Sequence, residues 1–317
     1  MRIAVTGGSG FIAGHAVDQL IDAGHDVLAL DIAAEPADPR ADHRQVDILD
    51  LPALQHALAG VDVVFHIAGM SNVDFAAADP VHTVRLNVDG TGNVLEAARL
   101  NGVRRVIFAS TVWVYDAVDG AGDQRRPLTE DAPFVLSKGG HIYTSTKIAA
   151  ETLIHSYHQT YGVPFTILRY GIPYGPGMRE ELVLARFVKK ALAGEALTVA
   201  GDGLQFRNYV YIDDLVKAHV LALDDAAENQ VIALEGAEQI TVLTMAQTVQ
   251  QLFPGVTIEH IPARSGDFRG RQISNAKAAQ LLGWRPTTPF ADGVRQYVQW
   301  YLGDRSGSVP ADGSSLT

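Results

Sequence analysis

The sequence predicts an α/β fold: a doubly wound parallel sheet with helices on both faces, followed by a smaller C-terminal α/β substrate domain. Two observations predict it. Short β-branched apolar runs alternate with helical stretches in the first half of the chain, and such alternation forms right-handed crossovers and a buried parallel sheet. A glycine-rich turn also separates the first strand from the first helix, at residues 7–10.

The predicted elements follow from apolar runs and from the residues that end them. Residues 2–6 form a short strand that a glycine turn ends. Residues 11–23 form a helix with Ile12, Ala16 and Leu20 on one face, and Gly24 ends it. The other elements predicted in this half are strands at 27–30, 61–67, 104–109 and 165–169, and helices at 53–59, 80–100 and 143–161.

The pattern loosens after Gly171. Proline and glycine cluster at residues 173–177, helices are predicted at 182–193 and 244–252, and short strands lie between them. The Ser/Gly/Asp-rich end predicts a flexible tail. The predicted divisions are a dinucleotide domain at 1–170, a substrate domain at 171–304 and a tail at 305–317, with 208–235 open to either domain.

Composition excludes several classes of protein. The chain has 317 residues, and 25 Lys and Arg against 36 Asp and Glu give a net charge of −11, so we expect no nucleic-acid or anionic-membrane partner. Cysteine is absent, which excludes disulfides, cysteine nucleophiles and thiolate metal sites, and we expect no metal. The opening strand is broken by Gly7-Gly8, so we expect no signal peptide and a cytoplasmic protein.

The turn at residues 6–13 has the spacing of a dinucleotide-binding turn, with Ala13 as the third small residue. Gly7 permits the tight turn, and Gly10 lets the backbone approach a pyrophosphate, which then meets the N–H groups and positive dipole end of the helix. Glycine is common in turns of every kind. Its position after a strand and before a helix nevertheless predicts a Rossmann-type domain.

Asp31 ends the second predicted strand. A carboxylate at this position accepts hydrogen bonds from the ribose hydroxyls of a dinucleotide and repels a 2′-phosphate. Neither Ile32 nor Ala33 supplies the positive charge that NADP requires. The alternative is a solvated aspartate at a strand end. The pattern favours NAD over NADP.

Tyr143 and Lys147 lie four residues apart near a predicted helix start, a spacing that puts both side chains on one face. A free phenol has a pKa near 10, too high for a base at neutral pH. A neighbouring ammonium and the charge of oxidised nicotinamide favour the phenolate, and lowering the pKa by about 3 units takes roughly 4 kcal/mol. Downstream of Ser110-Thr111 at a strand end, the pair predicts Tyr143 as a catalytic base.

The chain resembles the extended short-chain dehydrogenase/reductases of the nucleotide-sugar epimerase/dehydratase group, and its pattern is closest to the UDP-glucose 4-epimerases. The resemblance spans about residues 1–303. The motifs that carry it are Thr6–Ile12, His66–Gly69, Asn87–Thr91, Tyr143–Lys147, Tyr174–Gly177, Gly201–Gly203 and Leu282–Trp284.

The resemblance implies a role for each matching residue. Thr111 is the Ser/Thr that hydrogen-bonds the reacting hydroxyl, Tyr143 the base, and Lys147 the residue that positions the ribose. The residues implied to bind the cofactor are Gly7, Gly10, Phe11, Ile12, Asp31, Asp47, Ile48, Ala68, Gly69, Asn87, Tyr143 and Lys147. The residues implied to bind substrate are Thr111, Tyr143, Arg207, Arg264 and Arg271, of which Arg207 and Arg264 match diphosphate contacts and Arg271 a position that lines the sugar.

Several of these residues have ordinary structural alternatives. The arginines could be surface residues paired with neighbours such as Asp202 or Asp267, and Asn87 could cap a turn. His66 closes an apolar strand, and we interpret it as a packed structural histidine. His141 lies two residues before Tyr143; it could touch substrate, although loop histidines are common.

The residues after Thr111 indicate the reaction. The dehydratases and sugar-acid decarboxylases of the group have acidic residues there, which transfer additional protons. Val112 and Trp113 cannot do so, which favours a 4-epimerase that oxidises and re-reduces one carbon of a UDP-hexose or UDP-uronate with NAD. The alternatives are an NAD(P)-dependent ketosugar reductase and a non-catalytic dinucleotide-binding protein.

Two further expectations concern substrate and assembly. Where the family usually reads Arg-Tyr-Phe-Asn, this chain has Arg169-Tyr170-Gly171-Ile172. It therefore lacks an asparagine that binds the nucleotide diphosphate in the family, which points to a specialised sugar nucleotide.

The helices at 80–100 and 145–161 match those that pair as a four-helix bundle in dimers of the family. Packing against the sheet alone is the alternative, and we expect a homodimer.

Overall fold

The chain forms two compact units in the computed structural model, which describes residues 1–118, 127–138, 140–263 and 270–303. Unit 1 comprises Met1–Tyr170, Val216–Leu234 and Ile273–Trp284. Unit 2 comprises the described residues of Gly171–Leu215, Glu235–Gln272 and Arg285–Thr317. The predicted tail at 305–317 lies outside the described residues.

The boundary differs from the predicted division in one stretch. The sequence pattern assigns residues 273–284 to the second domain, but they belong to unit 1. Ile273 forms a parallel bridge with Leu128, and Trp284 is completely buried. Residues 273–284 therefore belong to unit 1 because they contact residues that are distant in the sequence, such as Leu128.

The described residues form twelve strands and eleven α-helices, numbered along the chain. The strands are β1 (Arg2–Thr6), β2 (Asp26–Asp31), β3 (Asp42–Gln45), β4 (Val63–His66), β5 (Arg105–Thr111), β6 (Phe165–Tyr170), β7 (Ile172–Tyr174), β8 (Leu197–Ala200), β9 (Phe206–Tyr211), β10 (Gln230–Leu234), β11 (Gln239–Thr241) and β12 (Ile258–Ile261). The helices are α1 (Phe11–Asp22), α2 (Leu51–Ala57), α3 (Val73–Ala78), α4 (Pro80–Val84), α5 (Gly90–Asn101), α6 (Ile142–Tyr161), α7 (Val183–Leu192), α8 (Ile212–Leu221), α9 (Val242–Leu252), α10 (Ala276–Leu282) and α11 (Phe290–Gly303).

Unit 1 is built on a seven-stranded sheet in the order β10-β6-β5-β4-β1-β2-β3, with every pair parallel. All residues of β5 and β6 are buried, as expected for the centre of a sheet that helices cover on both faces. The predicted doubly wound α/β fold is confirmed. The carboxyl ends of β1, β4 and β5 lie at the same edge of the sheet, the edge where folds of this class bind ligands.

The sequence does not predict β3. Its four residues are polar and partly exposed because this strand lies at the edge of the described sheet, where it pairs with β2. A strand of this kind has no apolar run to reveal it.

The helix predicted at residues 80–100 is interrupted. Between α4 and α5 lies one π-helical turn, Arg85–Asp89. The turn holds Asn87, which is buried, and the Thr91 hydroxyl donates a hydrogen bond to the Asn87 carbonyl at 2.6 Å. Turns of this type are frequent at functional sites.

Unit 2 contains a three-stranded sheet in the order β11-β9-β7 and a parallel pair, β8 with β12. Tyr174, Tyr209, Tyr211 and Phe290 pack their rings together in its core, with centroid distances of 5.1 to 6.2 Å. Asp214 accepts hydrogen bonds from the backbone N–H groups of Thr287 and Thr288, and so fixes the segment before α11. None of the helices that the structure describes is long and apolar enough to cross a membrane.

Candidate functional site

The glycine turn between β1 and α1 forms a close-fitting backbone cradle. Gly7 has φ +73°, and a Cβ there would lie 2.9 Å from the Ala68 Cα. Gly10 is the N-cap of α1, and its N–H donates to the Gly7 carbonyl at 2.8 Å. No side chain among the described residues caps α1. The first N–H groups of α1 are therefore available to a phosphate, so the residues present fit the pyrophosphate of a dinucleotide.

Asp31 lies next to this turn, at the end of β2. One carboxylate oxygen accepts from the Ser9 N–H and the other from the Ala33 N–H, both at 2.9 Å. The residue is half-buried, and its neighbour Ile32 is exposed. The carboxylate is thus fixed beside the glycine turn, at the carboxyl edge of the sheet, as ribose recognition requires.

The other predicted cofactor residues of this region differ in exposure. Phe11 and Ile12 form the first turn of α1 and are half-buried, whereas Asp47 is exposed and accepts from the Leu49 N–H at 2.8 Å. Ile48 is buried against α5, and a Cβ at Gly90 would lie 2.6 Å from the Ile48 Cδ1. Ile48 thereby connects the segment after β3 to α5.

The loop after β4 is held by the side chain of Asn87. Its Oδ1 accepts from the Met70 N–H at 2.7 Å, and its Nδ2 donates to the Met70 carbonyl at 3.0 Å and to the Thr146 hydroxyl at 2.9 Å. Gly69 has φ +153°, and a Cβ there would lie 2.8 Å from the Asn87 Oδ1. Asn87 therefore ties the Ala68-Gly69 loop to α6 instead of capping a turn.

His66 lies in a buried hydrogen-bond chain that defines its tautomer. Thr91 donates its hydroxyl proton to the Asn87 carbonyl, so its oxygen accepts from His66 Nε2 at 3.0 Å. Nδ1 then accepts from the Thr6 hydroxyl at 2.8 Å. Burial, together with the nearby charge of Lys147, lowers the pKa of His66 to about 3. A neutral, fully hydrogen-bonded imidazole agrees with the structural role expected from the sequence.

Thr111, Tyr143 and Lys147 are all buried in unit 1. Thr111 ends β5, and its hydroxyl oxygen accepts from the Trp113 N–H at 3.2 Å. The Lys147 ammonium donates to the Ala109 carbonyl at 2.9 Å and lies 4.6 Å from the centroid of the Phe108 ring. The first turns of α6 are thus attached to the end of β5.

Burial lowers the pKa of Lys147 to about 8, although the Glu151 carboxylate raises it. Below that pH the side chain is an ammonium in a low-dielectric site, where a charge acts more strongly than in water. Tyr143 lies one helical turn before Lys147 and packs beside Met70 and Ala76. Tyr143 and Lys147 therefore lie on one face of α6, as their four-residue spacing predicts.

A pair of aromatic rings connects the segments that carry Thr111 and Tyr143. Trp113 follows Thr111 by two residues, and His141 precedes Tyr143 by two residues. Their ring centroids lie 5.6 Å apart in an edge-to-face arrangement. Trp113 also packs against the cluster that contains Tyr143, whereas His141 is exposed.

Sequence reasoning misses a buried ionic network behind these residues. Glu151 accepts from the Ser110 hydroxyl at 2.5 Å and from Nε and Nη2 of Arg169 at 3.1 and 2.7 Å. Arg169 also donates to the Tyr115 hydroxyl at 3.1 Å. Two signals in the sequence point to this network. Arg169 is a charged residue in an otherwise apolar strand, and Glu151 is an acid four residues after Lys147.

The predicted substrate arginines belong to another part of the chain. Arg207 lies half-buried in β9 of unit 2 and donates to the Phe206 carbonyl at 2.7 Å. Arg271, also half-buried, lies in the segment before Ile273. Arg264 lies outside the described residues.

Unit 2 also buries an acid that the sequence analysis does not single out. Glu235 directly follows β10, is 2% exposed, and burial raises its pKa well above the usual range. The Asn208 side chain is likewise buried. Because Glu235 is surrounded by apolar and small residues in the sequence, only its charge in an apolar run could have indicated it.

Comparison with known proteins agrees with this geometry. Residues 3–234 match the model of the NAD dependent epimerase/dehydratase family. The chain is 31% identical to a putative UDP-glucose 4-epimerase of Methanocaldococcus jannaschii, over 94% of this chain and 97% of that protein. It is 29% identical to a dTDP-glucose 4,6-dehydratase of Actinoplanes sp. (96% and 99% covered) and 31% identical to UDP-glucuronic acid decarboxylase 6 of Arabidopsis thaliana (93% and 87% covered).

Solved structures are similar over nearly the whole chain. The UDP-glucuronic acid 4-epimerase of Bacillus cereus, in complex with UDP-glucuronic acid and NAD, has a TM-score of 0.83 at 29% identity, covering 95% of this chain and 98% of that one. The UDP-glucose 4-epimerase of Thermotoga maritima, with UDP-glucose, has a TM-score of 0.84 at 28% identity with the same coverage.

Proposed function

The chain belongs to the NAD dependent epimerase/dehydratase family, and we propose that it is a nucleotide-sugar 4-epimerase that acts on a UDP-hexose or UDP-uronate. The family match shows an NAD-dependent enzyme of this family. The relatives include dehydratases and decarboxylases beside epimerases, and the residues of this chain distinguish among these reactions.

NAD is the cofactor of the family, and the glycine turn supports its binding here. We assign the pyrophosphate to the turn that contains Gly7 and Gly10, and the adenosine ribose to Asp31. The remaining contacts are assigned to Phe11, Ile12, Asp47, Ile48, Ala68, Gly69, Asn87, Tyr143 and Lys147. When bound, NAD accepts a hydride from the substrate carbon and returns it.

The proton chemistry is assigned to three residues of unit 1. Tyr143 takes the proton of the C4 hydroxyl and later returns a proton to that oxygen. Thr111 hydrogen-bonds the same oxygen, and the Lys147 ammonium lowers the cost of the phenolate. The burial of all three residues supports these roles, because charges act more strongly where water is excluded.

One observation favours epimerisation over elimination. Val112 and Trp113 follow Thr111 in the turn Val112–Ala117, and neither side chain can transfer a proton. Within unit 1, the Glu151 carboxylate is engaged by Arg169, and the Glu130 carboxylate accepts a hydrogen bond from the Ala233 N–H. Epimerisation at one carbon needs only the single proton relay that Tyr143 supplies.

The contacts with the diphosphate and the sugar of the substrate are assigned to arginine side chains of unit 2. Arg207, Arg264 and Arg271 are the proposed contacts, with Arg207 and Arg264 on the diphosphate and Arg271 toward the sugar, where a cation would suit a uronate carboxylate. Thr111 and Tyr143 contact the reacting hydroxyl.

We also propose a homodimer. Exposed apolar side chains on α4 to α6 support it, namely Val81, Val84, Leu100 and Tyr161.

The test is to incubate the purified full chain with UDP-glucose, UDP-glucuronic acid and dTDP-glucose, without added cofactor, and to identify products by NMR. The expected result is the C4 stereoisomer of one UDP-sugar. Tyr143→Phe should retain bound NAD and the folded far-UV spectrum but lose nearly all activity, since it lacks only the hydroxyl.

Other products would contradict the proposal. A 4-keto-6-deoxy sugar would identify a dehydratase, and a pentose with released carbon dioxide would identify a decarboxylase. Stoichiometric consumption of added NADH would identify a ketosugar reductase. No product from any of the sugars, despite bound NAD, would favour a non-catalytic dinucleotide-binding protein.

A further inference from the structure

Glu151 holds a fixed negative charge inside unit 1. The Arg169–Glu151 ion pair has both side chains only 5% exposed, with an Nη2–Oε2 distance of 2.7 Å. The Ser110 hydroxyl donates to the other carboxylate oxygen at 2.5 Å. The arginine and the hydroxyl together engage both carboxylate oxygens and hold the carboxylate in place.

The position of Glu151 relates this charge to Lys147. Both residues are buried on α6 and are four residues apart, so their side chains lie on one face of the helix. Lys147 is buried, and among the described residues its ammonium contacts a carbonyl oxygen and an aromatic face. Neither of these carries a full negative charge. The Glu151 carboxylate therefore supplies the charge that compensates burial of the ammonium.

We propose that Glu151 is a positioning residue for the reaction: it keeps the buried Lys147 an ammonium, while Arg169 and Ser110 hold the carboxylate in place. The inference rests on the proposed function, in which the charge of Lys147 assists Tyr143. It assigns the buried ion pair a part in the electrostatics of catalysis, in addition to its part in packing.

The other groups around Lys147 do not replace Glu151. From β4, His66 is neutral because burial lowers its pKa to about 3. Tyr143 on α6 is the proposed base, and Tyr170, whose pKa is raised by burial and by the charge of Tyr143, is hydrogen-bonded to His219 of α8 at 2.5 Å. Burial lowers the pKa of Lys147 to about 8 even with Glu151 in place, so the lysine is sensitive to loss of this charge.

The test compares Glu151→Gln with Glu151→Asp in the full chain saturated with NAD. The six lysines are labelled with ¹³C at Cε, and the Lys147 signal is identified by its loss in Lys147→Arg. We expect Glu151→Gln to lower the Lys147 titration midpoint by about one pH unit or more, and Glu151→Asp to leave it within a few tenths of a unit. The alkaline limb of kcat should move to lower pH by the same amount in Glu151→Gln only.

A second variant covers the case in which Glu151→Gln fails to fold because it leaves Arg169 buried and unpaired. Glu151→Gln combined with Arg169→Gln removes both charges, and the same downward shift is expected because Glu151 is the charge that acts on Lys147. An unchanged midpoint in a folded variant, or an equal shift in Glu151→Asp, overturns the inference, even if thermal stability falls. The NMR titration does not depend on the sugar that is turned over, so failure of the 4-epimerase proposal would be recognised separately by its products.

Discussion

The carboxyl group of Glu235 occupies the space that a side chain at residue 171 would need. A Cβ on Gly171 would lie 2.8 Å from the Glu235 Oε2 and 2.9 Å from the Asn208 carbonyl oxygen. Glycine is therefore required at 171 by volume. Gly171 is part of the departure from the family pattern, and Glu235 is the buried acid that follows β10. The two residues therefore belong to one packing arrangement in unit 2.

Gly171→Ala should lower the free energy of unfolding by about 1–3 kcal/mol, because the added methyl group overlaps a buried carboxyl group and a backbone carbonyl. Glu235→Ala should remove the part of that cost that comes from the carboxyl group and leave the part that comes from the Asn208 carbonyl, so the double variant should be non-additive. Urea unfolding measures all three. The control is Gly92→Ala, where a Cβ meets nothing within 4 Å and the change should be neutral or stabilising. A cost for Gly171→Ala that is the same with and without Glu235 would refute the packing argument.

Glu235 should make stability depend on pH. Burial raises its folded-state pKa well above the usual value, whereas the unfolded chain titrates near pH 4.3. The folded state thus retains a proton that the unfolded state loses, and the free energy of unfolding falls as pH rises from about 4.3 toward the folded-state pKa. The Glu235→Gln variant has no carboxyl group at this position, so its free energy of unfolding does not fall in this way. The difference between the variant and the parent should therefore shift in favour of the variant between pH 5 and pH 8. Chemical unfolding at several pH values measures the difference, and a constant difference would contradict the prediction.

Asp31→Asn should weaken NAD binding by about 10- to 100-fold, because the amide loses the charged acceptor for ribose hydroxyls while it keeps one oxygen for the turn. NADP binding should weaken less or improve, since the repulsion of its 2′-phosphate is removed. Calorimetric titration with both dinucleotides measures the ratio. Asp26→Asn, at the opposite end of β2, is the matched control and should change neither affinity. An unchanged ratio in Asp31→Asn would argue against the assigned ribose site.

His66 should remain neutral, with its proton on Nε2, down to about pH 4. Burial lowers its folded-state pKa to about 3, so the stability that the neutral ring contributes is present above about pH 6.5 and is lost as the pH falls below that value. Long-range ¹H–¹⁵N spectra distinguish the two ring nitrogens directly, and His66→Gln identifies the signal. An imidazolium signal at pH 5, or a proton on Nδ1, would contradict the hydrogen-bond chain through Thr6 and Thr91.

Patterns within short stretches of sequence predicted much of the fold and the centre of the site. The alternation of strands and helices predicted the parallel sheet, which the structure confirms. The glycine spacing at residues 7–10 predicted the cradle before α1, and the four-residue spacing predicted that Tyr143 and Lys147 share a helix. The polar edge strand β3 and the π-helical turn around Asn87 escaped prediction because neither has a local apolar pattern.

The sequence by itself determined the class of fold, the dinucleotide turn and the candidate proton-transfer residues, since each follows from patterns of residues along the chain. Only the tertiary structure decided which charges meet in the core. Ser110 and Glu151 are 41 residues apart along the chain, and Glu151 and Arg169 are 18 apart, yet they share one hydrogen-bond network. The same holds for Glu235 over Gly171. Burial and the pKa shifts that follow from it depend on how distant segments pack, and no local pattern of residues encodes that packing.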